Sequence, residues 1–443
     1  MTTRLSRRQF LSRGTAVAGG ALLAPALLRS ETKKQQLHVA CVGVNGMGFA
    51  DLSNIGSHPA VKFVGFCDVD SDRFDRADEA FPGVPHFADY REMLAELGDT
   101  VDAVSVSTPD HMHAHAALAA LEQGNHVYCQ KPLTRTVEEA RRLQVAAEEA
   151  GVTTQMGNQI HSHVAYRLGT RLIREGVIGK VKEVHSWVGV SGRQHSGATE
   201  RPDPAEVPSN LDWDLWIGGA PMRPYAPKVY HPFTWRDWQD FGSGALGDFG
   251  CHIFDPVFTA LELTAPVTVK AEHDGTNDEV WPGPETVTYV FPGTEYTAGD
   301  QITVIWRDGG LKPPRDLAQL PDGEELPGGG SLFIGEEGNL VLPHVDMPKL
   351  YPVEKFADFT PPEESNLNHW HVWVDAVLAG ERTSDGFHYA GPLTEAVQLG
   401  NVAALVRGRE LEWDAAGLRV PNNSEADALL RREYREGWEL GSA

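Results

Sequence analysis

The sequence predicts an α/β fold that begins with a doubly wound parallel sheet, and three observations predict it. Short apolar runs rich in β-branched residues alternate with helix-like segments between residues 36 and 158. The first run ends in a glycine-rich turn followed by a helical pattern. Beyond residue 180, Gly and Pro instead of helices separate the β-like runs, which indicates a second domain of different architecture.

The length and the composition agree with two domains. The chain has 443 residues, about three times the ~150 usual for one domain. It carries 38 Lys and Arg against 62 Asp and Glu, a formal charge of −24. Because no block of basic residues balances this charge after residue 30, nucleic acid and anionic membrane surfaces are poor partners, although a local basic pocket could hold one small anion.

The first thirty residues are expected to be an export signal and not a domain. They contain five arginines and no acid, and Ser6–Leu11 reads Ser-Arg-Arg-Gln-Phe-Leu ahead of a short uncharged stretch. This pattern is typical of the twin-arginine signal, with an ordinary basic signal region as the alternative. We expect export of the folded protein to the periplasm or another extracytoplasmic site, without membrane integration. The four cysteines stand singly in apolar runs and are expected to be buried free thiols (Cys41, Cys67, Cys129 and Cys251).

The glycine turn predicts a Rossmann-type domain over residues 36–158. Leu37–Val44 is strand-like and runs into the turn Gly43–Gly48, and Asp68 follows the next strand-like run. In dinucleotide-binding units the helix start receives the pyrophosphate, and an acid at this position binds the ribose hydroxyls. A carboxylate would repel a 2′-phosphate, so the cofactor is predicted to be NAD. Asn45 occupies the second glycine position, where we expect it to tolerate a positive φ.

Further polar residues fall at the carboxyl ends of the predicted parallel strands, where α/β sheets bind ligands. We assign the cofactor to residues of the turn and of these ends: Gly43, Asn45, Gly46, Met47, Gly48, Asp68, Thr108, Pro109, His113, Gln130 and Lys131. Asn158, at another strand end, is assigned to the substrate. His111 and His115 would share a helix face, but no Glu lies between them as in a zinc-binding His-Glu-x-x-His, so we predict no metal site.

A glycine-rich helical segment, Phe241–Leu263, carries the residues with the clearest chemistry. Asp248 and His252 are four residues apart, so on a helix they share one face. An imidazole has the pKa required of a base that removes a hydroxyl proton. A solvent-exposed pair that stabilises the helix is the alternative.

An aromatic segment precedes this helix. Leu211–Trp238 holds four of the 11 tryptophans. Aromatic faces stack on sugar rings, and Arg236 could bind a hydroxyl or a carboxylate, so we assign His231, Trp235 and Arg236 to the substrate. Packing between domains explains the same composition equally well.

These motifs together resemble the Gfo/Idh/MocA oxidoreductases. The resemblance spans residues 36–410 and is carried by the turn, Cys67-Asp68-Val69-Asp70, Thr108-Pro109-x-x-x-His113, Gln130-Lys131-Pro132 and Gly247-Asp248-Phe249-Gly250-Cys251-His252-x-x-Asp255. It implies an α+β domain at 159–365 with a large open, mostly antiparallel sheet, and a homo-oligomer. It also implies that Lys131 hydrogen-bonds the reacting oxygen and that Asp248 orients the substrate or the imidazole. The family usually has Glu where this chain has Gln130. Residues 366–443 are expected to form helices that pack back on the core.

The resemblance implies an NAD-dependent oxidoreductase that acts on a secondary hydroxyl of a carbohydrate, a sugar or polyol, with tightly bound NAD. An NAD-dependent glycosidase is the alternative; it oxidises transiently, eliminates the aglycone and adds water with no net redox change. A protein that only retains nicotinamide is a third possibility, which the set Lys131, Asp248 and His252 disfavours.

Overall fold

The computed structural model describes residues 36–193, 195, 197 and 199–441. The predicted export signal therefore lies outside the described residues. From Leu37 onward the chain forms one unit, so its two sheets belong to a single body.

The N-terminal sheet is parallel and has six strands in the order β3–β2–β1–β4–β5–β6. Its strands are β1 Leu37–Val42, β2 Val61–Cys67, β3 His86–Phe87, β4 Ala103–Val106, β5 His126–Gln130 and β6 Thr154–Gly157. The strand order reverses between β1 and β4, and a crevice opens there at the carboxyl ends of the strands. The predicted doubly wound sheet is confirmed.

Helices cover both faces of this sheet. They are α1 Met47–Gly56, α2 Asp75–Ala80, α3 Tyr90–Leu97, α4 Asp110–Glu122 and α5 Val137–Ala150. The α5 helix shows how local sequence sets the boundaries. Thr136 Oγ1 accepts from the Glu139 backbone N–H at 3.2 Å, and Glu139 Oε2 accepts from the Thr136 N–H at 3.0 Å. The helix ends at Gly151, whose φ of 63° suits glycine.

The second sheet has eight strands in the order β13–β12–β11–β7–β10–β9–β8–β14. These are β7 Val181–Trp187, β8 Thr268–His273, β9 Glu285–Pro292, β10 Gln301–Arg307, β11 Gly330–Gly335, β12 Asn339–Pro343, β13 Lys349–Tyr351 and β14 Glu410–Glu412. Among the described strands of this second sheet, only β7 and β10 pair in parallel. The expected large, mostly antiparallel sheet is confirmed.

The remaining helices are α6 Val164–Arg174, α7 Trp213–Ile217, α8 Gly244–Leu261, α9 His369–Ala379, α10 Phe387–Leu405 and α11 Ser424–Ala428. The α10 helix contacts β6 of the parallel sheet and also β8 and β9 of the second sheet, and α8 runs beside it. Side chains of both sheets share one hydrophobic core with these helices, for example Val104, Val127, Val304, Leu246 and Val397. The start of α8 is thereby held next to the carboxyl ends of the parallel strands.

The C-terminal region differs from the prediction in one way: β14 adds an edge strand to the second sheet in a region expected to be helical. The α10 helix begins at Phe387 and continues through Pro392. Phe387 is fully buried and its N–H donates to Thr154 Oγ1 at 2.9 Å, which fixes the start of this helix.

Candidate active site

The glycine turn between β1 and α1 brings backbone segments too close for side chains. A Cβ on Gly43 would lie 2.5 Å from the Ser107 carbonyl oxygen, and one on Gly48 would lie 2.2 Å from the Gly43 oxygen. The positive φ angles fall on Gly43 (84°) and Gly46 (58°). The expectation for Asn45 is therefore wrong: its extra neighbour Gly46 takes the left-handed position. Asn45 instead braces the turn, because its Oδ1 accepts from the Gly46 N–H at 2.7 Å.

Asp68 follows β2 and faces the turn. Its two carboxylate oxygens accept from the backbone N–H groups of Val44 at 3.2 Å and Asp70 at 3.1 Å. Burial raises the pKa of Asp68 to about 6, although the two N–H donors oppose that shift. The carboxylate is thus fixed in place at the strand end where a dinucleotide's ribose binds.

One cavity of about 660 Å³ connects the turn with the start of α8. Nine of the eleven residues assigned to the cofactor line it: Gly43, Asn45, Gly46, Met47, Asp68, Thr108, Pro109, Gln130 and Lys131. Gly48 and His113 lie behind its wall. His113 ties two loops together, since its ring nitrogens contact the backbone oxygens of Thr108 and Pro132, each at 2.8 Å.

These residues fit NAD. At Gly46 an added Cβ would meet nothing within 4 Å, so open space lies over the turn that precedes α1. That helix start offers N–H groups to a pyrophosphate, and Asp68 offers a carboxylate to the ribose hydroxyls. Tyr90, Met112 and Leu215 give part of the cavity wall an apolar surface.

Lys131 and Asp248 form an ion pair that joins the end of β5 to α8. Lys131 Nζ lies 2.6 Å from Asp248 Oδ1 and 2.7 Å from the Asp248 backbone oxygen. Arg236 Nε lies 3.4 Å from the same Oδ1. Burial alone would raise the pKa of Asp248, but Lys131 and Arg236 hold that pKa well below its ordinary value. The Lys131 side chain is 14% exposed, so Lys131 is not a surface lysine.

His252 lies one turn further along α8 and also lines the cavity. Its Nδ1 is hydrogen-bonded to Asn158 Oδ1, while Asn158 Nδ2 donates to the Cys251 oxygen at 3.1 Å. Since Asn158 Nδ2 is the donor to Cys251, Oδ1 must accept, and His252 Nδ1 carries the proton. Burial, reinforced by Lys131, lowers the pKa of His252 well below its ordinary value. The imidazole is therefore neutral, with its lone pair on Nε2.

The four residues assigned to the substrate occupy different places. Asn158 is fully buried behind His252. Trp235 and Arg236 line the cavity, with the guanidinium 4.2 Å from the Trp235 ring centre. His231 lines the cavity too, but its Nε2 lies 2.8 Å from Asp70 Oδ2, close to the Asp68 end.

The aromatic segment mainly forms a core. Trp213 and Trp216 stack with ring centres 4.6 Å apart, and they join Trp238, Tyr230 and Phe241 in one buried cluster. Packing therefore accounts for most of these aromatic residues. Trp216 and Trp235 are the members whose side chains also reach the cavity.

A buried polar network around Asp51 was not predicted. Gln130 Nε2 donates to both Asp51 oxygens at 3.1 and 2.9 Å, Ser107 Oγ donates at 2.7 Å, and Trp370 Nε1 donates at 2.8 Å. Burial raises the pKa of Asp51 to about 6. A glutamate in place of Gln130 would put a second carboxylate against Asp51, which explains this chain's departure from Glu-Lys-Pro. The available sequence signal was an acid three residues after Gly48, on the buried face of α1.

Two further histidines at the site, His195 and His344, could not be predicted from the sequence, because they come from distant segments. His195 Nε2 lies 4.0 Å from Asp248 Oδ2. The His344 ring centre lies 6.0 Å from that of His252, and Tyr166 contacts His344 Nδ1 at 2.8 Å through its hydroxyl.

The other residues considered for chemistry have structural roles. His111 and His115 contact backbone oxygens of Trp216 and Trp438, each at 2.9 Å. Within the described ranges no group of three or more His, Cys, Asp or Glu side chains has the arrangement of a metal site. The four cysteines are buried free thiols, as predicted. Of the described helices, none combines the length and apolar character needed to cross a bilayer.

Comparisons with known proteins agree with this geometry. Residues 37–158 match the Gfo/Idh/MocA model described as "Oxidoreductase family, NAD-binding Rossmann fold", and residues 167–305 match its "C-terminal alpha/beta domain". Together the two matches cover more than half of the chain.

Among curated relatives, levoglucosan dehydrogenase of Pseudarthrobacter phenanthrenivorans is 26% identical over 169 residues, 38% of this chain and 34% of that protein. A glycosyl hydrolase family 109 protein of Shewanella sp. is 27% identical over 205 residues, 40% of this chain and 44% of that protein. The matched regions thus span between a third and a half of these relatives. A solved structure of levoglucosan dehydrogenase with NADH and levoglucosan superposes with a TM-score of 0.59 at 17% identity, over 85% of this chain and 99% of that one.

Proposed function

The chain belongs to the Gfo/Idh/MocA oxidoreductase family and binds NAD, and from this premise we propose that it oxidises a secondary hydroxyl of a sugar or polyol. The observation that carries the proposal is that Lys131 and His252 both line the NAD cavity, with Asp248 ion-paired to Lys131. A carbinol group needs three things there: a donor to its oxygen, a base for its proton and an acceptor for its carbon-bound hydrogen.

Lys131 supplies the donor. An ammonium group has three N–H bonds, and Asp248 accepts two of them through Oδ1 and its backbone oxygen. The third N–H remains for the substrate oxygen, where it stabilises the negative charge that develops as the proton leaves. Asp248 keeps the ammonium charged and aimed, because the pKa of that carboxyl is held low and it stays ionised.

His252 supplies the base. Its Nδ1–H is committed to Asn158, so the Nε2 lone pair accepts the hydroxyl proton. Asn158 fixes this tautomer and the plane of the ring. NAD, when bound, supplies the hydride acceptor. Arg236 and Trp235 then offer a guanidinium and an aromatic face to the rest of a sugar ring.

A redox-neutral glycosidase is the second candidate, favoured by the similarity to the glycosyl hydrolase family 109 protein. In this reaction a ring hydroxyl is transiently oxidised, the aglycone is eliminated, water adds, and the ring carbon regains its hydrogen. Lys131 and His252 serve it in the same roles.

The products decide between these candidates. The purified full chain is mixed with a panel of sugars, polyols and glycosides without added cofactor, and the products are identified by mass spectrometry. A ketone supports the oxidoreductase, and a released aglycone with no net oxidation supports the glycosidase. No reaction in any mixture contradicts both and leaves a nicotinamide-retaining protein.

We also propose that the protein leaves the cytoplasm folded, by the twin-arginine route, with NAD already inside, and that it assembles as a homo-oligomer. The Arg7-Arg8 pair and the four buried thiols, which need no oxidising compartment, support the export route. Outside the cytoplasm free NAD is scarce, so an exported enzyme must hold its cofactor tightly and restore it within the site.

A further inference from the structure

The segment 429–441 follows α11 and is fixed to the nucleotide-binding domain. His115 Nε2 donates to the Trp438 backbone oxygen at 2.9 Å, and burial lowers the pKa of His115 to about 4, so this ring is neutral. Arg432 Nη2 lies 3.1 Å from Glu139 Oε1, and Tyr434 donates to the same oxygen at 2.9 Å. The segment is thus bound to α4 and α5.

The same segment is also attached to α7. Arg435 Nε donates to the Gly218 oxygen at 3.0 Å, and its Nη1 lies 2.5 Å from Asp214 Oδ1. Its Nη2 donates to the Asp214 backbone oxygen at 3.1 Å. The segment therefore bridges two elements that both reach the cavity, α4 through Met112 and α7 through Leu215.

Trp438 is the residue of this segment that lines the cavity. Its side chain is 6% exposed, and the Arg91 guanidinium lies 4.2 Å from the centre of its ring system. It shares the cavity wall with Tyr90, the first residue of α3. The α3 helix follows β3, and β3 pairs with β2, the strand directly before Asp68. Trp438 therefore belongs to the adenosine end of the cavity and not to the Lys131 end.

We propose that Trp438 is part of the adenine subsite and that the segment 429–441 holds the adenosine half of NAD in place. An adenine ring has two flat, weakly polar faces, and aromatic and apolar side chains pack against such faces. The proposal rests on NAD binding alone and not on the oxidation of a sugar.

The experiment displaces bound NAD from the purified full chain with two competitors. ADP-ribose contains the adenosine half, whereas nicotinamide mononucleotide lacks it. Loss of an aromatic base contact commonly weakens binding about tenfold or more. In Trp438→Leu, the concentration of nicotinamide mononucleotide that displaces half of the NAD should fall about tenfold. The corresponding concentration of ADP-ribose should stay unchanged, because its own affinity falls along with that of NAD.

Trp413→Leu is the matched control. Trp413 is similarly buried, at 8% exposure, but lies just after β14 and away from the cavity wall. In Trp413→Leu, the concentrations of nicotinamide mononucleotide and of ADP-ribose that displace half of the NAD should equal those of the parent protein. Arg435→Met, which releases the segment from α7, should lower the nicotinamide mononucleotide concentration about threefold.

Three results would overturn the proposal. Unchanged displacement by nicotinamide mononucleotide in Trp438→Leu means either no contact or a uniform loosening of the fold. If the ADP-ribose concentration that displaces half of the NAD falls in Trp438→Leu, Trp438 lies at the nicotinamide end. If Trp413→Leu changes the two concentrations as much as Trp438→Leu does, the effect is one of general packing. If Trp438→Leu does not fold, Arg435→Met decides the question by the same pair of measurements.

Discussion

Lys131 Nζ contacts two oxygens of a single residue, Asp248 Oδ1 at 2.6 Å and the Asp248 backbone oxygen at 2.7 Å. Lys131 directly follows the strand β5 of the nucleotide-binding sheet, and Asp248 lies in α8, which packs on the second sheet. The ion pair therefore aligns the cofactor half of the site with the substrate half. Any small shift between the two halves changes where the third N–H of Lys131 points.

Replacement of Lys131 should stop turnover without emptying the cofactor site. Lys131→Met keeps most of the side chain's volume but removes the donor, and loss of a positioned proton-transfer group commonly costs ~10²–10⁴ in rate. Turnover on the identified substrate and NAD content by mass spectrometry are measured on the same preparation. Lys270→Met, at an exposed lysine in β8, is the control and should be fully active. Normal turnover in Lys131→Met would remove it from the mechanism.

The stability of the protein should depend on the neutral state of His252. Its folded pKa lies well below the unfolded value of about 6.5, so the unfolded chain binds more protons and stability falls as pH drops through about 6.5. One such histidine contributes about 1 kcal/mol of loss between about pH 7.5 and about pH 5.5. Between these two pH values, the unfolding free energy of His252→Gln, measured with urea, should therefore fall by about 1 kcal/mol less than that of the parent. A pH dependence in His252→Gln equal to that of the parent would contradict the assignment.

The buried carboxylate of Asp51 should require the uncharged amide of Gln130 for the stability of the fold. Gln130→Glu places a second carboxylate against a buried one, and we expect a loss of roughly 3 kcal/mol in unfolding free energy. Asp51→Asn should rescue the Glu variant, since the amide can donate to the new carboxylate. A double-mutant cycle by denaturant unfolding measures this coupling. Equal losses with and without Asp51→Asn would show that the two side chains do not interact.

Asp68 should select NAD over NADP. Asp68→Asn removes a charged acceptor for the ribose hydroxyls and should weaken NAD binding about tenfold, while NADP binding should improve. Since the pKa of Asp68 is about 6, NAD affinity in the parent should also fall as pH drops through that value. Calorimetry on both dinucleotides tests this, with the exposed Glu79→Ala on α2 as control. Tighter NADP than NAD binding by the unmutated protein would contradict the role of Asp68.

Much of this architecture could be predicted from local sequence, because its causes are local. The second strand-like run forms β2 with Asp68 directly after it, and the predicted glycine turn joins β1 to α1. The helical spacing of Asp248 and His252 also puts them one helical turn apart, where His252 lines the cavity and Asp248 pairs with the cavity residue Lys131.

The parts that could not be predicted depend on contacts between distant segments. Asn158 and His252 are 94 residues apart, and only the fold reveals that one sets the tautomer of the other. Trp370 reaches Asp51 across 319 residues. The Asn45 expectation failed for a different reason: two adjacent residues could take the positive φ, and glycine takes it at lower cost than asparagine.

The central claim is that this protein oxidises a carbohydrate hydroxyl with NAD that it retains. The most direct measurement uses the mature protein after exhaustive dialysis, with no cofactor added, and follows the absorbance of reduced nicotinamide after each sugar or polyol is mixed in. We predict reduction of about one nicotinamide per chain with at least one substrate, and no reduction in Lys131→Met. A dialysed protein that contains no nicotinamide and acts only with excess exchangeable NAD would contradict retention, and a loaded protein that no carbohydrate reduces would contradict the proposed oxidation.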